Sequence, residues 1–412
     1  MKKYQSNYLR IATIVAFLFV HQLLKAQWPQ WRGPMRDGFC AESNLLKAWP
    51  AEGPRLAWSS DTIGFGYGSA IIQGNIIYAT GLKESSEIMT AFDINGKIIW
   101  QKRVGKAGEN SNGSLAPGST PTFYKNKLYF LTAAGEIVCI NPTTGALVWA
   151  ISIPKKFEGA IGSIMGRTSI FCESPLVVDD KVILTPCGKN ATFIALNSST
   201  GETVWASESI DNAGNFVSPI LIQGEGKKLI VSNTENFYVA VDLNTGKIVW
   251  KEKGSATSVP LPGNKQVYFT CTDDGGKMLN ISNDLNSFSF KWSDGLKIKP
   301  LGGAVRLGNR IFGTYDNRKG ILCIDWETGK QQVFDKDIRG ASLLAANGMI
   351  YCYEDKAGRV SLLKPTENSI EIVGSFKVTM GQGAHLAHMS MGNGILFVRH
   401  GDSLMAYNIK QK

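Results

Sequence analysis

The amino-acid sequence predicts an all-β fold: an eight-bladed β-propeller of four-stranded antiparallel blades. Its ring is closed by an N-terminal strand that pairs into the C-terminal blade. Three observations lead there. One phrase recurs as DINGKIIW (93–100), NPTTGALVW (141–149), NSSTGETVW (197–205) and DLNTGKIVW (242–250). A different hairpin pattern lies between successive copies. Helical periodicity is nearly absent beyond the first 26 residues.

The recurring phrase reads as a β-hairpin ending in a large aromatic. Ala240-Val241-Asp242 alternates as a strand, Asn244-Thr245-Gly246 turns the chain, and Lys247–Trp250 returns. The turn glycine supplies a positive φ that other residues resist. The aromatic position recurs at Trp58, Trp100, Trp149, Trp205, Trp250 and Trp292, and then weakens. In IDWETGKQQV it falls on Val333, and in LLKPTENSIEI on Ile372, with Asn368 in place of the turn glycine. Successive spacings are 42, 49, 56, 45, 42, 41 and 39 residues. Periods of this size with strand-and-turn content point to propeller blades. The second hairpin reads IIQGNIIYA (71–79), FYKNKLYFL (123–131), LVVDDKVIL (176–184), RLGNRIFG (306–313) and AANGMIYCY (345–353). Two hairpins per period make four strands. The segment Ala406–Ile409 matches Ala91–Ile94 but has no outer strand after it. Arg55–Trp58 supplies that strand from the other end of the chain. The blades are then approximately 62–100, 101–149, 150–205, 206–250, 251–292, 293–334, 335–376 and 377–409 with 54–60.

The first 26 residues read as a secretory signal peptide. Lys2, Lys3 and Arg10 precede an apolar run over 11–20, and Ala26 lies near a plausible cut. Ten apolar residues are too few to span a bilayer, which takes ~20. The first cysteine is Cys40, too far from the run for a lipid anchor. The expected product is periplasmic or secreted, without a membrane span, and monomeric. Removing Lys2, Lys3, Arg10 and Lys25 takes the net charge from +10 to +6, with no basic run. This excludes the nucleic-acid-binding classes. Seven cysteines stand at 40, 139, 172, 187, 271, 323 and 352, without CxxC, CxxCH or an adjacent pair. Zinc, c-type haem and thioredoxin-like chemistry drop out. If Asp179-Asp180 forms a two-residue turn, Cys172 and Cys187 fall opposite each other. A disulfide between them is the expectation in an oxidising compartment.

At these residues the chain resembles the quinoprotein-like, PQQ-repeat propeller superfamily, which includes the BamB type and PQQ-like repeat proteins of uncertain role. AxDxxTGxxxW, best kept at Ala240–Trp250, resembles its tryptophan-docking repeat. WPQWRGPMRDG (28–38), followed by PRLAW (54–58), resembles its N-terminal strap, here residues 27–53. The resemblance implies a propeller over 54–412 whose tryptophans lock neighbouring blades. It also implies three kinds of function: dehydrogenases holding pyrroloquinoline quinone and calcium on the axis, BamB-type scaffold lipoproteins that help assemble outer-membrane β-barrels, and relatives such as the polyvinyl-alcohol dehydrogenase-like chains. The adjacent cysteine pair of the enzymes is absent here, and so is their CxxCH. No Glu, Asn and Asp set carries over as calcium ligands. The anchoring cysteine of the BamB type is also absent. The expectation is an exported, non-catalytic binding or scaffold propeller of the cell envelope without a cofactor. The alternative is a PQQ-dependent alcohol or sugar dehydrogenase with calcium.

Two blades are lengthened, by residues 105–120 and 154–171. Both insertions join an outer strand to the next inner strand, so both are expected on one face, where recognition usually sits. Aligning the inner hairpins places Tyr67, Arg167, Asn215, Lys299, Arg339 and His385 at the axial mouth on that face. Converging cations suit a carboxylate or phosphate, whether on a small ligand or a protein partner. His385 and His388 in GAHLAHMS are three apart and point to opposite faces of a strand, so no metal site is expected. GFGYG (64–68) and GAIGSIMG (159–166) resemble phosphate loops but open no helix. No catalytic residue is assigned.

Overall fold

The computed structural model describes residues 27–110, 113–159, 163–164, 167–168, 171–210, 217–254, 256, 258–270, 275–296, 302–315, 320–339 and 342–411. Eight four-stranded antiparallel sheets follow one another around a ring. Blade 1 runs from its inner strand Ile71–Gln73 through Ile76–Lys83 and Ser86–Asp93 to the outer strand Ile98–Lys106. The later blades repeat this order. The last takes its outer strand, Arg55–Ser60, from the N-terminal side, with Trp58 opposite Ala406. The predicted closure and blade count are both present.

The outer strand is built the same way in every blade. Its ladder slips by one residue just before the docking position, as at Ala240↔Trp250 and Val241↔Ile248. All eight blades carry this bulge. A bulge bends the strand and re-aims the side chain beside it. The indole then reaches the turn of the next blade. Trp58 Nε1 donates to Ile94 O, Trp100 Nε1 to Pro142 O and Trp205 Nε1 to Leu243 O, each at 2.9 Å. The ring covers the turn glycine. Gly246 has φ +71°, and a Cβ there would lie 2.4 Å from the Trp205 ring. Asp242 accepts the amides of Asn244 and Thr245, both at 2.9 Å, and so fixes the turn. The repeated phrase therefore carries packing, not reaction chemistry. Seven buried apolar clusters fill the junctions, one of them spanning both sides of blade 8, so the core is spread around the ring.

Blade 7 corrects the sequence reading. Its bulge pairs Leu363 with Ile372 and Leu362 with Gly374, so the docking position is Gly374. Ile372 is exposed, and Asn368 is not in the left-handed region. The missing aromatic arrives from elsewhere. Trp49 lies against Gly374, donates its amide to Val373 O at 3.1 Å, and packs on Tyr351 and Phe376. A pattern searched along the strand cannot find a residue more than 300 positions away.

The segment before the closing strand is an arm that enters the ring. Gln27–Trp28 pairs with the inner strand of blade 1. Pro29 O accepts the amide of Phe123 in blade 2 at 2.7 Å. Phe39–Cys40 then runs parallel to the inner strand of blade 7, Ser342–Ala346. Glu42 accepts the amides of Asn393 and Gly394 at the hairpin turn of blade 8 as the arm leaves. Inner strands line the axis of a propeller, so a segment bonded to those of blades 1, 2 and 7 lies on that axis. The 28–38 strap expected from the sequence is thus a plug as well as a belt.

Candidate functional site

The face carrying the lead-ins to the inner strands also carries both insertions. Gly108–Asn110 and Gly113–Leu115 form one small hairpin. A short helix, Ile153–Phe157, leads toward a second, Ser163–Ile164 with Arg167–Thr168. At the centre of this face the lead-ins of five blades carry hydroxyls at equivalent positions: Ser69, Thr120, Ser174, Ser218 and Ser342. They latch neighbouring blades. Ser69 N donates to Thr120 Oγ1 at 2.9 Å, Thr120 N to Ser174 Oγ at 3.1 Å and Ser174 N to Ser218 Oγ at 2.9 Å. The pattern breaks at Val259, Gly303 and His388, and the last two face the arm. A Cβ at Gly303 would sit 2.9 Å from Arg32 Nη1, and Trp31 packs edge-on against His388 at 5.1 Å. This serine ring went unread in the sequence, although S/T recurs there with the same period as the tryptophans.

The arm brings two wholly buried arginines to this ring. Arg32 donates to Gly302 O and Ala304 O of blade 6 and to Asp37 O at 3.0 Å. Arg36 donates to Ser174 O at 3.0 Å and Pro175 O of blade 3, to Pro219 O of blade 4 at 3.1 Å, and to Gln30 Oε1 at 2.9 Å. Burial lowers Arg32 to about 10 and Arg36 to about 9, so both stay charged near neutrality. Glu173 lies beside Arg36. Burial pushes its carboxyl up to about 7, against bonds from Thr185 and the charge of Arg36. A third buried guanidinium, Arg399, ties blade 8 to blade 1 through Gly68 O and Gly64 O, both at 2.9 Å. The GFGYG string thus supplies carbonyls to an arginine, not amides to a phosphate.

Of the six predicted mouth residues, four lie among the described residues. Asn215 and Lys299 lie outside the described residues. Arg167 stands in a two-residue strand opposite Ile164. Arg339 is exposed, and Glu354 is the carboxylate that feels its charge. Tyr67 is half-buried and packs on Phe65. His385 is already engaged: its ring stacks on His400 at 3.7 Å, and its Nδ1 lies 2.6 Å from the Tyr353 hydroxyl. Burial first, then the charges of His400 and Lys377, hold His385 at about 4. It is neutral near pH 7 and adds no cation. The residues converging on the axis are Arg32 and Arg36, which sequence reasoning left inside the strap.

Among the described residues no group of three metal-ligating side chains converges. The hairpin at Asp179-Asp180 has the predicted register, but its ladder ends at Leu176↔Ile183, short of Cys172 and Cys187. Cys172 keeps a free thiol, with its Cβ against Gly118 of the neighbouring blade lead-in. The register was extrapolated beyond the strands that obey it.

A family model described as outer membrane protein assembly factor BamB matches residues 39–170, 84–260 and 189–301, an unbroken run over more than half of the chain. Tetrathionate hydrolase of Acidithiobacillus ferrooxidans is 25% identical over 57% of this chain and 45% of its own length. The chain spans about half the length of the first curated relatives it matches. BamB from Moraxella catarrhalis superposes with TM-score 0.60 at 15% identity, over 87% of this chain and 98% of that one. Quinohemoprotein alcohol dehydrogenase from Comamonas testosteroni superposes with TM-score 0.65 at 12% identity, over 94% and 81%. At such identities the likeness establishes the ring and leaves its chemistry open.

Proposed function

We propose, for a chain that belongs to the outer membrane protein assembly factor BamB family, a non-catalytic role as an exported scaffold propeller of the cell envelope. Its protein partner docks on the insertion face, against 105–120 and 154–171, with Arg167, Lys299 and Arg339 facing an acidic group. The observation that carries this reading is the filled axis. The place where a ring of this kind would hold a small ligand is taken by the chain's own residues 28–38. What stays open on that face is a rim of loops on a rigid ring, the usual form of a protein-docking surface. Among the described residues no helix is long and apolar enough to cross a membrane.

The test is co-purification from envelope extracts with the whole chain as bait. Arg167→Glu with Arg339→Glu is expected to abolish recovery of the wild-type partner and leave the melting temperature unchanged. Salt is expected to weaken the wild-type complex. Equal recovery by the double variant places the docking surface elsewhere. The second reading, a quinone-dependent dehydrogenase, is favoured by likeness to solved dehydrogenase folds and by distant similarity to curated quinone-dependent alcohol dehydrogenases over about a third of the chain. It fits the axial residues poorly: pyrroloquinoline quinone is a tricarboxylate, and the arm's guanidinium donors there are already bonded to carbonyls.

A further inference from the structure

We propose that the insertion-face end of the axial channel is a guanidinium-binding site, built from backbone carbonyls and filled in cis by Arg32 and Arg36. The site takes cations of this planar type and rejects carboxylates. It does not depend on the scaffold reading: a ring without any partner would hold the same site.

Four features build it. The acceptors are main-chain oxygens from three blades: Gly302 and Ala304, Ser174 and Pro175, and Pro219. Prolines 175 and 219 have no N–H, so these lead-ins present carbonyls without competing donors. Glycines give room for the fork. A Cβ would stand 2.9 Å from Arg32 Nη1 at Gly303 and 3.0 Å from Arg32 Nη2 at Gly38. Finally, neither guanidinium makes a salt bridge among the described residues, so each is held by neutral oxygens. A fixed fork of five donors matches such a set better than a point charge does.

The consequence reverses the sign expected from the sequence. A ring of cations awaiting an anion is replaced by a ring of oxygens already holding cations. A tricarboxylate placed there would meet acceptors, and its oxygens would lie unpaired in a buried setting.

Chemical rescue tests this on the full-length chain. Arg36→Ala empties one half of the site, and its melting temperature is expected to fall by about 5 °C. Guanidinium chloride at low millimolar concentration should restore at least half of that loss. Sodium chloride at equal ionic strength and trisodium citrate should not. Wild type, its site full, should show no rise with guanidinium and no binding of pyrroloquinoline quinone with calcium. If Arg36→Ala does not fold, Arg36→Gln carries the same comparison. Rescue by sodium chloride or citrate as good as by guanidinium overturns the proposal. So does an absence of guanidinium rescue in a folded variant, or saturable quinone binding by wild type that Arg36→Gln abolishes.

Discussion

Replacing Trp49 tests whether the arm supplies the docking aromatic that blade 7 lacks. Its side chain is buried against Tyr351 and Phe376. Truncating a buried tryptophan to alanine typically costs about 3–5 kcal/mol. The Trp49 Nε1 donor has no hydrogen bond, so no bond is lost with it. Trp49→Ala should therefore cost about 3 kcal/mol, at the low end of that range. Trp49→Phe removes an orphan N–H whose burial costs roughly 1 kcal/mol. That relief offsets the smaller ring, and the variant should lie within about 1 kcal/mol of wild type. Trp100 is the contrast, because its Nε1 donates to Pro142 O at 2.9 Å. Trp100→Phe leaves that carbonyl with only the longer bond from the Tyr78 hydroxyl, at 3.3 Å, and should cost about 2 kcal/mol. Urea unfolding followed by circular dichroism measures all three without relying on indole fluorescence. The reasoning is wrong if Trp49→Phe costs as much as Trp100→Phe, or if Trp49→Ala costs less than about 1 kcal/mol.

Two further outcomes follow from single residues. Gly246→Ala should cost roughly 3 kcal/mol, since the new Cβ is strained at positive φ and displaces the Trp205 ring; a variant melting with wild type would show that this glycine is not required. Two pairs of buried groups should make stability depend on pH in opposite senses. His385 at about 4 and His388 at about 3 lie below the ordinary 6.5, both chiefly through burial. The unfolded chain is protonated first, so stability present above pH 6.5 is lost as pH falls toward 4. Glu173 at about 7 and Glu87 at about 8 lie above the ordinary 4.5, again through burial. The unfolded chain ionises first there, so stability is lost as pH rises from 4.5 toward 8. Glu87→Gln with Glu173→Gln should flatten the alkaline limb of a melting-temperature profile and leave the acid limb in place.

The ring was legible because its signals are local and repeated. A turn glycine and a tryptophan four residues apart report one hairpin, and their spacing reports the period. Closure was legible because Arg55–Trp58 and Ala406–Ile409 are the two halves of one such hairpin. The site was not legible, because its parts come from distant positions. Arg36 meets Ser174, Pro175 and Pro219 only after the arm has entered the ring. Nothing in RGPMRDG marks its arginines as buried, since arginine usually lies at the surface. The same separation hid Trp49, which replaces a missing aromatic at Gly374. Inner-hairpin alignment reads position along the chain alone. It could not show that Tyr353 and His400 already engage His385.

Amide hydrogen exchange tests most directly whether the arm closes the axis in solution. Two amides of the inner strands donate to carbonyls of the arm's axial part: Phe123 N to Pro29 O at 2.7 Å and Ala345 N to Gly38 O at 2.8 Å. Their protection exists only while the arm is seated. A seated arm predicts that Phe123 and Ala345 exchange as slowly as the central strands of their own blades, together with the amides of 38–40. Exchange of these amides within seconds, while the blades stay protected, would mean that the arm leaves the channel and the axis is open.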